Sequence, residues 1–278
     1  MDRSIFILGG DLRLYYSALY FEKCGFNVFT HALYGDAGEC VSLYEGMKKS
    51  DIILLPTPSS SDGENLFAPS YEGKISLSEI ATLAGDEKII FGGRVPEGIF
   101  SSKVCDILKR DDFAILNAVP TAEGALEIAM RESIFTISKS RVLIAGFGRI
   151  GKISAKLFSA MGASVTVSAR KSSDIAMISA MGYKATETCM IGESLSEYDI
   201  IINTVPFKII ENDALSRIKK DAVIIDTASL PGGLDIPLAN KMGIKAFQAL
   251  SLPGKVAPKT SGEIICDTVL SILEKREF

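Results

Sequence analysis

Short apolar runs recur along this chain, each closed by glycine, proline or polar residues, and the stretches between them carry the spacing of amphipathic helices. In the first 119 residues the runs are Ser4–Leu8, Asn27–Thr30, Asp51–Leu55, Lys88–Gly92 and Ala114–Leu116. A second series follows at Arg141–Ala145, Ala163–Ser168, Asp199–Asn203, Ala222–Asp226 and Lys245–Gln248. Continuous apolar strands alternating with helices predict parallel sheets covered on both faces. The expected fold class is α/β, with two doubly wound parallel-sheet domains. Residues 1–119 would form an N-terminal substrate domain and residues 120–278 a C-terminal Rossmann cofactor domain. A last helix, Pro258–Phe278, is expected to pack its residues 260–278 back on the first domain. Thr121, following Pro120, is expected to cap a bridging helix that runs to Arg131.

Arg141–Ala145 leads straight into Gly146-x-Gly148-x-x-Gly151. That order of strand, glycine loop and helix is what a dinucleotide pyrophosphate requires. Gly146 allows the tight turn, Gly148 lets backbone approach the anion, and Gly151 lets the helix pack closely on the strand. Arg149 and Ile150 lie within the loop and open the helix, whose N-terminus offers free N–H groups. An NAD site usually places Asp or Glu about 20 residues further on. Here Ser168-Ala169-Arg170-Lys171-Ser172 stands in that region. Ser168, Arg170 and Lys171 suit a 2′-phosphate, which an arginine fork binds and a carboxylate repels, so NADP is favoured over NAD. The alternative is that Arg170 and Lys171 are plain solvated loop charges. Thr204, Val205 and Pro206 after one later strand, and Asp226 and Ser229 after the next, fall where nicotinamide and its ribose are expected.

At 278 residues, with 47% hydrophobic content, the chain is long enough for two cores. A net charge of −4 argues against a nucleic-acid or anionic-membrane surface, since both call for a basic stripe. The N-terminus, Met1-Asp-Arg-Ser-Ile, reads as a first strand rather than a signal peptide. No apolar run approaches the roughly 18–20 residues of a membrane helix. A cytoplasmic location is the expectation. Cys24, Cys40, Cys105, Cys189 and Cys266 are scattered and suit neither a disulfide framework nor a metal site. His31 is the single histidine, so an all-imidazole metal cage is excluded, and no nucleophile elbow accompanies it. No metal is expected.

The loops after the first-domain strands are Gly9-Gly-Asp-Leu-Arg13, His31, Pro56-Thr-Pro-Ser-Ser60, Gly93-Arg94-Val-Pro96 and Asn117-Ala-Val-Pro120. In doubly wound sheets such loops build the ligand site. Three stretches carry a resemblance that spans nearly the whole chain: Gly9-Gly-Asp11-x-Arg13, Asn117-x-x-Pro-Thr-Ala-Glu-Gly124, and Leu252-Pro-Gly-Lys-Val-Ala-Pro-Lys-Thr-Ser-Gly-Glu-Ile264. They resemble the dipicolinate synthase A-subunit family, within the wider group of two-domain 2-hydroxyacid and alanine dehydrogenases. The resemblance implies oxidation of dihydrodipicolinate to dipicolinate, the pyridine dicarboxylate stored in bacterial spores. It also implies a nicotinamide cofactor and a flavoprotein-like partner, the dipicolinate synthase B-subunit. A homodimer is a further option.

A dicarboxylate needs cations. Arg13 and Arg94 sit on first-domain loops, and Lys255 and Lys259 flank the expected hinge. Each has a structural alternative: a helix face for Arg13, a brace of its turn for Arg94, an exposed loop for Lys255. Asn117 and Thr121 are further substrate-binding candidates, and Thr121 and Glu123 stand at the expected helix start, where capping is an equal explanation. Asp11, Glu123 and His31 are the candidate proton acceptors.

Against a 2-hydroxyacid dehydrogenase stands the stretch Gln248-Ala-Leu-Ser-Leu-Pro-Gly254, where those enzymes carry an acid/base histidine. An imine or dihydropyridine does not need that group. The remaining alternatives are an NADP-dependent dehydrogenase of another imino or 2-oxo acid, and a non-catalytic cofactor-binding protein that needs its partner.

Overall fold

The computed structural model describes residues 3–276. Met1 and Asp2 of the expected first strand, and Glu277 and Phe278 of the expected last helix, lie outside the described residues. The chain divides into two compact units, one of residues 3–117 with 257–276, the other Ala118–Val256.

The first unit contains β1 (Ser4–Leu8), α1 (Leu12–Lys23), β2 (Asn27–His31), β3 (Glu39–Cys40), α2 (Leu43–Lys49), β4 (Ile52–Leu54), α3 (Leu77–Ala84), β5 (Ile89–Gly92) and β6 (Lys103–Asp106). The division falls inside α4 (Asp111–Glu132). The second unit continues with β7 (Arg141–Ala145), α5 (Arg149–Ala160), β8 (Ser164–Ala169), α6 (Ser172–Ala180), β9 (Lys184–Glu187) and α7 (Ile191–Ser194). It closes with β10 (Ile200–Asn203), β11 (Val223–Asp226), α8 (Ile236–Lys241), β12 (Lys245–Gln248) and α9 (Leu252–Val256). The last helix, α10 (Pro258–Lys275), belongs to the first unit.

Both sheets are parallel and six-stranded, in the orders β3-β2-β1-β4-β5-β6 and β12-β11-β10-β7-β8-β9. The α/β doubly wound architecture read from the sequence is the one the chain adopts. In each sheet the strand order reverses beside the first strand, between β1 and β4 and between β7 and β10. A ligand crevice opens at such a point, outside the carboxyl ends of the strands.

Strand burial explains the unbroken apolar runs. Ile5, Phe6, Ile7 and Leu8 are all fully buried. Successive side chains leave a strand on opposite faces. Ile5 and Ile7 pack with Leu14, Phe21, Ile265 and Val269 of α1 and α10, while Phe6 and Leu8 pack with Met47, Leu77 and Ile80 of α2 and α3. In the second unit Val142 and Ile144 meet Phe158 of α5, and Leu143 meets Ile191 and Leu215 on the other face.

Two expectations are overturned. Ala114–Leu116 is not a strand but the opening of α4, which begins at Asp111. Three apolar residues fit a helical turn as well as a strand, and here Ile115 and Leu116 stay half exposed. The strand of this region is β6, with the mixed sequence Lys-Val-Cys-Asp, which suits its place at the sheet edge. Thr121 does not cap a helix. It is buried in the middle of α4, which passes through Pro120, so neither Thr121 nor Glu123 stands at a helix start. Proline at that point removes one N–H and leaves the Leu116 carbonyl without its helical partner, a loss that water can make good at an exposed residue. The sequence does not announce strands β3 and β9; β3 is two residues long and β9 reads Lys-Ala-Thr-Glu, too polar to stand out.

Helices α1 and α10 meet closely because residue 262 is glycine. A Cβ there would lie 2.5 Å from the Arg13 carbonyl oxygen and 3.0 Å from the Ser17 nitrogen. The Ser17 hydroxyl lies 2.9 Å from the Arg13 oxygen and 3.1 Å from the Gly262 oxygen, available to donate to either. Tyr20 donates to Asp267 Oδ1 at 2.9 Å, and that bond pushes the phenol up to about 12. Gly262→Ala should therefore destabilise the first unit by about 1–3 kcal/mol, outweighing the roughly 1 kcal/mol that alanine gains as a helix former. The check is the midpoint of urea unfolding, which should fall.

Candidate functional site

In the second unit the glycine loop leaves the carboxyl end of β7 and enters α5. Gly146 has φ +104, and its N–H points to Ser168, 3.2 Å from the backbone oxygen and 3.3 Å from the hydroxyl. A side chain at Gly151 would run into the Gly146 carbonyl, so glycine there is what lets the helix start so close to the strand. Gly148 differs: it is the N-cap of α5, no side chain caps the helix, and a Cβ there would meet open space. The first-turn N–H groups of this 12-residue helix thus face an uncapped, open approach.

That approach leads into a cavity of about 410 Å³ lined by the glycine loop, by Arg170 and Lys171 after β8, and by Thr204, Val205 and Pro206 after β10. The residues present fit a dinucleotide, with anion-binding N–H groups, cations and an apolar wall in one cavity. Phe147, Asp174, Thr188 and Phe207 also line it, and sequence reasoning missed them. Asp174 lies in the first turn of α6, where an acidic residue normally signals only helix stabilisation.

Five cofactor candidates are placed otherwise. Ser168 is fully buried and takes part in holding the loop, its hydroxyl facing the Gly146 N–H and 3.4 Å from the Thr188 hydroxyl. Asp226 is also fully buried, accepting from Asn203 Nδ2 at 2.8 Å, from the Ala228 N–H at 3.0 Å and from the Gly233 N–H at 2.7 Å. Its carboxylate braces the loop after β11 instead of lining the cavity. Ser229 is exposed on that loop, and Arg149 is exposed at the start of α5, neither among the cavity-lining residues. Ile150 is half-buried beside it.

In the first unit the turn after β1 is arranged differently. The Gly9 N–H donates to the His31 carbonyl at 2.9 Å and the Gly10 N–H to the Phe67 carbonyl at 2.7 Å. The end of β2 and a loop running from β4 to α3 thus use the two donors that an anion would need. Asp11 caps α1 and grips Arg13, with Nε to Oδ1 at 2.9 Å and Nη2 to Oδ2 at 2.9 Å. Arg13 Nη2 also donates to the Thr57 carbonyl at 2.6 Å, so this buried guanidinium spans the point where the strand order reverses. Arg94 is exposed after β5 with φ +51, a left-handed conformation uncommon outside glycine, and its carbonyl accepts from the Ser59 hydroxyl at 3.2 Å. Thr57 and Ser59, which carry no signal of their own in the sequence, tie these loops together.

His31 ends β2, half-buried. Asn117 lies within α4, not on a strand-end loop, because the strand expected before it is helix. Glu123 is exposed on the same helix. Lys255 lines a separate cavity of about 580 Å³ in the second unit with Arg131, Phe247 and Gln248. Lys259 is exposed in the first turn of α10. Among the described residues no three His, Cys, Asp or Glu side chains gather as a metal site, and no helix is long and apolar enough to cross a membrane.

Residues 120–229 match the family model for the D-isomer specific 2-hydroxyacid dehydrogenase, NAD binding domain. Residues 4–116 match the model for the N-terminal domain of the dipicolinate synthase A-subunit. The A-subunit of dipicolinate synthase from Bacillus subtilis (strain 168) is 35% identical over 257 residues, 90% of this chain and 86% of the relative. The crystal structure of the dipicolinate synthase A-subunit from Bacillus halodurans superposes with a TM-score of 0.88 at 29% identity, covering 98% of both chains. The crystal structure of its Bacillus subtilis counterpart gives a TM-score of 0.88 at 31% identity, covering 100% of this chain and 97% of that one.

Gly151→Ala should abolish binding of a reduced nicotinamide cofactor, because the new methyl displaces the Gly146 carbonyl and with it the loop. Titration of the cofactor's fluorescence with the folded variant checks this; unchanged affinity would show that the loop is not the phosphate site.

Proposed function

This chain belongs to the dipicolinate synthase A-subunit family, and from that membership we propose that it oxidises dihydrodipicolinate to dipicolinate in spore formation, with NADP as the hydride acceptor. The observation that carries the cofactor half is the uncapped N-terminus of α5 beside Gly148, opening into the cavity after β7. Arg170 and Lys171 on the cavity wall support a 2′-phosphate and hence NADP. Asp174 on the same wall is the feature that favours NAD.

Oxidation removes a hydride and a proton and leaves an aromatic ring, so the protein has to hold the ring in register, exclude water and take up the proton. When bound, the nicotinamide supplies the two-electron acceptor. Arg13 and Arg94 bind carboxylate in this reading. Arg13 is rigid because Asp11 and Thr57 fix it, and a fixed fork loses less freedom when a carboxylate arrives. Lys255 and Lys259 are the further cations of the proposal. Gln248, where a hydroxyacid dehydrogenase carries histidine, spends its Nε2 on the Asp226 and Ala228 carbonyls at 3.3 Å and 3.2 Å. That supports a carbon–nitrogen substrate over a hydroxyacid.

The chain works in the cytoplasm in this reading, with the flavoprotein-like B-subunit. That its relatives are named as one subunit of a synthase favours a second reading, in which it binds cofactor and turns over only with that partner. Absorbance of the reduced nicotinamide, followed with freshly generated dihydrodipicolinate and NADP, separates the two. Reduction by the chain alone supports the first reading, reduction only after adding the partner supports the second, and none in either case rejects this substrate.

Arg170→Asp should weaken NADP by about 10- to 100-fold, the worth of one charged hydrogen bond, and NAD much less. Equal losses in paired titrations would remove Arg170 from the phosphate site. Arg94→Ala should raise the substrate KM about tenfold in the folded variant, and an unchanged KM would exclude it from the substrate site.

A further inference from the structure

We propose that His31 is the proton acceptor of this oxidation and that Asp11 is a positioning residue for Arg13. The assignment rests on the proposed oxidation, which requires one proton to leave the ring for each hydride transferred. Asp11, Glu123 and His31 all have side chains able to accept a proton, and the geometry separates them.

Both Asp11 oxygens are already occupied. Oδ1 accepts from the Arg13 backbone N–H at 3.0 Å and from Nε at 2.9 Å, and Oδ2 accepts from Nη2 at 2.9 Å. A proton arriving there would have to displace the guanidinium. What the pair achieves instead is orientation: with Nε and Nη2 committed to Asp11 and Thr57, Nη1 is the nitrogen that the described residues leave for a substrate carboxylate. Glu123 is exposed inside the helix α4 and is not part of a strand-end loop.

His31 stands at the carboxyl end of β2, next to β1 in the sheet. Its Nδ1 lies 2.9 Å from the Val41 carbonyl oxygen. A carbonyl only accepts, so Nδ1 carries the hydrogen, and in the neutral ring the lone pair is on Nε2. Tyr71 holds the ring from the loop between β4 and α3, with centroids 5.7 Å apart and planes at 55°. The next residue, Ala32, has φ +56, a left-handed conformation rare outside glycine, just where the imidazole is presented. The His31 carbonyl accepts the Gly9 N–H, so the end of β2 that bears the imidazole is tied through its backbone to the turn that leads to Arg13.

The surrounding charges are spent on other partners. Tyr71 is the titratable side chain that packs, tilted, against the ring. On the α1 side Asp11 is paired with Arg13, and Glu22 accepts the Gly38 N–H. On the β3 and α2 side Glu39 is paired with Lys49 at 2.9 Å, and Glu45 is bonded to Ser42. Asp36, in the loop between, faces the Tyr15 hydroxyl.

In the balanced step the dihydropyridine dicarboxylate gives a hydride, with its electron pair, to the oxidised nicotinamide cofactor and one proton to His31 Nε2. The ring becomes a pyridine, the cofactor is reduced, and the imidazolium returns its proton to water.

The test is steady-state kinetics of the full chain with its B-subunit partner, dihydrodipicolinate and NADP, over about pH 5.5 to 8.5, where an imidazole changes charge. Wild type, His31→Asn, His31→Gln and Asp11→Asn are compared. The asparagine amide keeps a donor for the Val41 carbonyl and removes the base. Wild-type kcat/KM should fall as pH falls. His31→Asn should lose about 10²- to 10⁴-fold in kcat and lose that acid limb, with NADP affinity unchanged. Asp11→Asn should raise KM about tenfold and keep the limb. Wild-type turnover with kcat retained in either His31 variant overturns the assignment alone, as does an acid limb that vanishes in Asp11→Asn instead. No turnover by wild type overturns the functional reading and the assignment with it.

Discussion

A parallel sheet buried on both faces has no surface to spare for chemistry, and this one constraint organises both halves of the protein. Strands such as β1 and β10 are apolar at nearly every position because each face is covered by helices or loops. Their backbone donors and acceptors are consumed by the neighbouring strands. Polar function is therefore displaced to the carboxyl ends, where the chain leaves the sheet. Asp11, Arg13, His31, Thr57 and Arg94 gather there in one unit, and the glycine loop, Arg170 and Thr204 in the other.

The two sheets share one strand order yet treat the turn after the first strand in opposite ways. In the second unit the turn spends one N–H on Ser168 and leaves the start of α5 uncapped. In the first unit Gly9 and Gly10 spend theirs on His31 and Phe67, and Asp11 caps the helix with its carboxylate. Backbone amides serve either the fold or an anion, and each cannot serve both. The first unit accordingly offers an ordered guanidinium where the second offers amides.

Much of this is legible in the sequence because it depends on local rules. The strand at Ser4–Leu8 and those at Asp199–Asn203 and Ala222–Asp226 announce themselves by unbroken apolar character, and Gly146, Gly148 and Gly151 by spacing. What misleads is equally local. Ala114–Leu116 has the look of a buried strand, and Pro120 the look of a helix boundary, but α4 runs through both. The proline costs one hydrogen bond, and the packing of Ala118, Ala122, Ala125 and Ala129 along the same helix outweighs it. Asp226 and Ser168 resemble cofactor ligands by their position at strand ends; their actual partners are Asn203, Gly233 and Gly146.

Fold class, family and the place of the glycine loop follow from local signals, since hydrophobic period, glycine spacing and turn chemistry act over a few residues. Tertiary structure alone decided which of the polar strand-end residues are available. Whether Asp11 accepts a proton or holds Arg13, whether Gly9 and Gly10 meet an anion or a carbonyl, and which nitrogen of His31 keeps its lone pair all depend on partners distant along the chain: Thr57, Phe67 and Val41. A hydrogen bond satisfies whichever group folding brings within reach, and sequence spacing carries no record of that distance.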